Sequence, residues 1–158
     1  MRRARVAPFV LFGIAVVSPA FAWGPSDQYG TFGPDDDTIS DLYTGLTWQR
    51  ASTAPSLTQS QAVATCASLA LESKTWRLPT MKELLTLAED ATHTVYLDGM
   101  DVQIDLDTNA FYDTPSTCFW TSSVYVGPAM QAFTVDFSTG EADLAVLTTP
   151  CAARCVSP

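Results

Sequence analysis

Positive charge is scarce in this chain: Lys and Arg number 8 against 17 Asp and Glu, and neither occurs between Lys82 and Arg154, an interval holding eleven acidic residues. A polyanion is repelled by such a surface, which argues against nucleic acid as a partner. Histidine is almost missing, with His93 the single one. Gly-x-Ser-x-Gly is absent, so a histidine-dependent triad lacks its parts. Carboxylates are abundant, yet nothing in their spacing singles out a pair for glycoside chemistry. Beyond the N-terminal region no segment approaches the roughly 20 apolar residues of a membrane helix. There is no internal repeat and no low-complexity tract.

What is present begins with Arg2, Arg3 and Arg5 ahead of an apolar run at 6–17 that is too short to span a bilayer. Pro19 and Ala20-Phe21-Ala22 follow, the break and small-x-small pattern of a signal peptide, expected to be residues 1–22 with cleavage after Ala22. No cysteine at that boundary suggests a lipid anchor. The remaining 136 residues, starting at Trp23, carry five basic and 17 acidic groups, a formal charge of −12 (5 minus 17). Their number suits one domain. The expected product is exported and soluble, in the periplasm or at the cell surface. Cys66, Cys118, Cys151 and Cys155 then read as two disulfides, with three complete pairings open. Zinc is disfavoured because Cys151-x-x-x-Cys155 has no second close pair beside it.

Residues 23–41 are rich in Gly, Pro, Asp and Ser and read as an irregular N-terminal arm ahead of a domain at 42–158. Residues 42–50 alternate in the manner of a half-buried strand, with Thr44-Gly45 as its entry turn. Ser56-x-x-Gln59 forms a capping box before Ala62, Val63, Cys66, Ala67 and Ala70, which recur at helical spacing. Thr80-x-x-Glu83 forms a second, before Met81, Leu84, Leu85 and Ala88. Residues 89–117 show no sustained period and read as a long loop. Strands are expected at 119–121, at 124–126, and as a hairpin through Phe133, Val135 and Phe137, turning at Ser138-Thr139-Gly140 into 141–147. Arg154-Cys155-Val156 closes the chain as a short strand.

The order Thr44-Gly45-Leu46-Thr47-Trp48, a helix bearing Cys66, Trp76-Arg77-Leu78-Pro79-Thr80 with Glu83-Leu84, Phe119-Trp120-Thr121-Ser122-Ser123, Val135-Asp136-Phe137-Ser138-Thr139-Gly140 and Arg154-Cys155-Val156 resembles the Lcl C-terminal domain, the family named for the Legionella collagen-like adhesin. The resemblance covers residues 40–157, and six motifs in one order make it specific. It implies a C-type-lectin-like α+β fold, two helices beside a twisted, mostly antiparallel sheet with long loops. It further implies disulfides Cys66 to Cys155 and Cys118 to Cys151, and a distant kinship with formylglycine-generating enzymes through the Arg-Leu-Pro-Thr turn. No collagen-like tract occurs here, so neither a stalk nor its trimerisation is implied. Glu-Pro-Asn, Gln-Pro-Asp and Trp-Asn-Asp are also absent, so lectin-type sugar recognition is not carried over.

The expected function is a non-catalytic binding or adhesion module, with an oxidoreductase related to formylglycine-generating enzymes as the alternative; the latter needs free, reactive thiols. Trp48, Trp76 and Trp120 are expected in the core, and Arg77 beside a carboxylate. Recognition is placed on the segment before Phe119, since binding residues concentrate on loops held by a rigid frame. The candidates are His93, Tyr96, Asp98, Met100 and Asp101, with Phe111 and Tyr112 as further exposed aromatics or loop anchors. Asp105-x-Asp107-x-Asn109 with Asp113 offers oxygen ligands at calcium-loop spacing, but Ala110 replaces the turn glycine and Ser116 the bidentate Glu. No cofactor is otherwise expected. The acidic loop favours an uncharged or basic partner, a protein or an uncharged glycan, over sulfated glycans.

Overall fold

Two capping boxes start the two helices. The computed structural model describes residues 27–33, 36–89, 92–97 and 99–158; residues 1–22, Trp23, Asp35 and Asp98 lie outside them. Helix α1 is Gln59–Ala67, capped by Thr58, whose hydroxyl accepts from the Gln61 N–H while the Gln61 side chain accepts from the Thr58 N–H at 2.8 Å. The box is therefore Thr58 with Gln61 and not the expected Ser56 with Gln59. The reason is tertiary: Leu57 exchanges backbone hydrogen bonds with Cys151 at 3.0 and 3.1 Å, which holds the chain extended until Thr58. Only Ala62 and Cys66 of α1 are fully buried, and Val63 faces outward.

Helix α2 is Met81–Leu85, capped as expected by Thr80 with Glu83. It stops short of Ala88. The N–H groups of Thr86, Leu87 and Ala88 bond to carbonyls three residues back, and the Thr86 hydroxyl takes the Glu83 carbonyl at 2.7 Å. This tightening to the narrower helical turn still delivers Leu87 to the core.

Every strand pairs antiparallel, but in three small sheets rather than one. The first has the order β1-β2-β8, with β1 at Thr38–Ser40, β2 at Thr47–Gln49 and β8 at Val156–Ser157. Residues 23–41 are thus not irregular throughout, since β1 falls among them and Tyr29 packs edge-on to Phe111 at 5.2 Å. The second sheet is the hairpin of β3, His93–Leu97, with β4, Met100–Ile104, inside the stretch read as loop. The third is β5, Cys118–Tyr125, with β6, Gln131–Asp136, and β7, Glu141–Val146, in sequential order. A register shift between Trp120 and Val124 interrupts β5 without ending it, which joins the two strands expected there into one. Gly140 takes φ +67° at the β6–β7 turn, which favours glycine, and a Cβ there would stand 3.3 Å from a carboxylate oxygen of Asp105.

This third sheet divides the interior. Phe119, Val135 and Phe137 join Trp48, Leu84 and Leu87 in one cluster, while Trp120 and Ala132 join Ala62, Cys66 and Trp76 in another. One helix therefore serves each face. Both disulfides sit on the α1 side: Cys66 to Cys155 closes a separation of 89 residues and Cys118 to Cys151 one of 33, the pairing that the family resemblance implies. Between them residues 151–153 run along β5, bonded at Ala152 to Cys118 and Trp120. Trp48, Trp76 and Trp120 are all core residues.

Candidate functional site

The β3–β4 hairpin separates the expected contact residues. Its register sets Tyr96 opposite Asp101 and Thr94 opposite Gln103 on one face, and His93 and Val95 opposite Ile104 and Val102 on the other, the face that Met100 shares. Ile104 is buried and Val102 half-buried, so the second face turns inward. Tyr96, 74% exposed, and Asp101 point to solvent, whereas Met100, 64% exposed, lies at the tip of the inward face. His93 stands at the root, its Nε2 2.9 Å from the Glu89 carboxylate. The four described candidates therefore occupy three places. A signal for the hairpin was available in Asp98-Gly99 between alternating strands, and Gly99 takes φ +86° as such a turn demands.

Facing the hairpin is the segment from Asp107 to Thr117, and two buried arginines hold it from below. The Arg50 guanidinium donates to the carbonyls of Ala110 at 2.9 Å and Asn109 at 3.1 Å, and on its other side to Gly33 and Asp36, lying between the rings of Phe32 and Tyr112. Arg154 is wholly buried, donating to the carbonyls of Gln49 and Arg50 and to the Thr114 hydroxyl, with Phe111 beneath it at 4.6 Å. No ion pair among the described residues neutralises it, and burial lowers its pKa to about 9. Phe111 is buried and Tyr112 half-buried against Arg50, so of the two readings open for them the structure selects the anchors of the segment. The aromatic Tyr29 joins this interior, where burial first and Asp41 next push its phenol above the ordinary range.

Between hairpin and segment opens a cleft of about 570 Å³, lined by Met100 and Val102 on one side, by Pro55 and Pro115, and by Asp113, Thr114, Ser116 and Thr117. A smaller cavity of about 180 Å³ adjoins it through Asp113 and Thr114 and reaches Val95, Ile104 and Phe111. Asp113 adopts φ +53°, a left-handed conformation unusual for a side-chain-bearing residue, and its carbonyl accepts from the Ser52 hydroxyl at 2.9 Å. Apolar walls, a polar floor and a strained residue at the mouth are what a small recognition pocket contains.

The acidic residues at calcium spacing have separate work. One Asp107 oxygen accepts from the N–H groups of Asn109 at 2.9 Å and Ala110 at 3.3 Å, capping a turn that the Phe111 N–H closes onto the Asp107 carbonyl. Asp105 packs against Gly140 and keeps one buried oxygen without a hydrogen-bond partner. Among the described residues no group of three or more His, Cys, Asp and Glu is placed to hold a metal. All four cysteines are in disulfides, leaving no thiol for exchange chemistry. Arg77 meets Glu83 through two hydrogen bonds of 2.9 and 2.7 Å. A second exposed surface escaped the sequence reading: Val126, 96% exposed, and Met130, 78%, flank the β5–β6 turn.

The sequence model of the Lcl C-terminal domain family matches residues 37–157. No curated protein matches the chain.

Proposed function

The chain belongs to the Lcl C-terminal domain family, and from that premise we propose that it is an exported, non-catalytic binding module of the adhesin type, recognising an extracellular or periplasmic ligand in the cleft between the β3–β4 hairpin and residues 113–117. Two disulfides suit an oxidising compartment. No helix among the described residues is long and apolar enough to cross a membrane. The observation that carries the reading is the cleft itself. Its Met100 side is exposed and apolar, while its opposite wall is fastened to the domain interior at Thr114 by Arg154, and the turn leading into that wall is held by Arg50 at Asn109 and Ala110. A wall ordered before binding loses little entropy on binding. The oxidoreductase alternative has no observation in its favour.

The test is a protein and glycan binding screen on the mature chain, followed by two substitutions on opposite hairpin faces. Met100→Ser removes the exposed apolar side chain from the cleft and should weaken the captured ligand at least about tenfold, in the range of a contact residue that matters. Tyr96→Ala alters the outer face and should leave binding within about twofold. The reverse pattern would move the site to the outer face.

A further inference from the structure

We infer that the cleft takes an extended peptide segment of a partner protein, one that places an apolar side chain beside a lysine or arginine. The inference rests on the cleft being the recognition site and adds the chemistry of its occupant. Met100, Val102, Pro55 and Pro115 offer apolar walls, and the exposed Asp113 carboxylate stands at the mouth. Among the described residues no cation pairs with Asp113. Of the five basic residues after position 22, Arg50 and Arg154 donate inward, Lys74 donates to Thr47, Arg77 is engaged by Glu83, and Lys82, exposed on α2, makes no ion pair with Asp113. The Asp113 carboxylate is thus left for a positive charge brought by the ligand.

Two further observations select a peptide over a sugar. No aromatic side chain lines the larger cleft, so a pyranose ring finds no flat face to stack on there; the rings of the adjoining cavity, Phe111 and Tyr112, already lie against Arg154 and Arg50. In addition, β3 and β4 pair only with each other, so among the described strands β4 has an unpaired edge beside the cleft. Its free N–H and C=O groups suit an added extended chain, whose side chains would alternate between the apolar walls and solvent.

The experiment presents the mature chain to an array of random linear peptides and, in parallel, to an array of neutral glycans. The selected peptides are expected to pair Lys or Arg with Leu, Ile, Val or Phe. Asp113→Asn should weaken them about fivefold to tenfold and flatten the salt dependence of binding. Asparagine tolerates the left-handed backbone at this position, so the fold is preserved. Met100→Ser should weaken them whatever their charge. Selected peptides without Lys or Arg, or glycans that bind and respond to Met100→Ser, would overturn the cationic peptide while sparing the cleft. Ligands indifferent to both substitutions would overturn the cleft as well.

Discussion

Glu83→Gln tests how the second helix is held. In the native chain one Glu83 oxygen accepts from the Thr80 N–H at 2.8 Å and from Arg77 Nη1 at 2.9 Å, and the other from Arg77 Nη2 at 2.7 Å. The Arg77 hydrogen bonds, which outweigh the opposing effect of burial, draw the Glu83 pKa from 4.5 down to about 2. At about 1.4 kcal/mol per pH unit that distance sets a ceiling of about 3 kcal/mol. The side chains are 24% and 42% exposed, and solvent screening at Arg77 reduces the figure to about 1–2 kcal/mol. Because the folded pKa lies below the ordinary one, the contribution is complete above about pH 4.5 and disappears as pH falls through about 2. Glutamine keeps an oxygen for the Thr80 N–H but cannot serve both Arg77 nitrogens. Urea unfolding followed by tryptophan fluorescence should therefore show the variant less stable by about 1–2 kcal/mol at pH 7 and equal to the native chain near pH 2. A gap that stays constant across that range would refute the assignment of the charge, and no gap at pH 7 would refute the ion pair's contribution.

Replacing Cys66 and Cys155 by Ala releases the longer loop and should cost about 4–5 kcal/mol against about 3–4 for Cys118 and Cys151, on the loop-entropy scale; denaturation of the two double variants decides the order. Arg154→Met leaves two carbonyls and the Thr114 hydroxyl buried without their donor, and should lower unfolding free energy by about 3 kcal/mol or more; hydrogen exchange should quicken first near Thr114. Asp107→Ala removes the cap of the turn at 107–111 and should cost about 1 kcal/mol equally in calcium and in chelator. A calcium-dependent melting temperature that the substitution abolishes would establish a calcium loop instead.

The elements legible in the sequence are those whose determinants are local. Thr80-x-x-Glu83 fixes its helix start within four residues, and Ser138-Thr139-Gly140 turns β6 into β7 through a glycine whose φ only glycine adopts readily. The first helix shows the limit. Ser56-x-x-Gln59 and Thr58-x-x-Gln61 both satisfy the capping pattern, and the choice is made by Leu57 pairing with Cys151, almost a hundred positions away in the chain. β1 is only three residues long and exists because β2 lies beside it. The β3–β4 hairpin is different, since Asp98-Gly99 and the alternation of Val95, Val102 and Ile104 with Thr94, Asp101 and Gln103 are local signals, masked by the acidic and polar residues spread through 89–117.

The cleft was not legible because its frame depends on arginines whose partners are mostly backbone carbonyls, with the Thr114 hydroxyl beside them, and a carbonyl leaves no mark in a sequence. Arg50 and Arg154 read as two more charges to be set against the acidic residues, yet both are buried and donate to the chain around 109–114. Lys74 and Arg77 are likewise engaged, by Thr47 and Glu83. The positive charge of the domain is thus largely withdrawn from its surface, which is more uniformly acidic than the composition suggests. The same arrangement shapes the site. Cations that fasten Thr114 and the turn before it from within do not neutralise Asp113 from without, so the scaffolding that holds this side of the cleft also leaves its mouth negative.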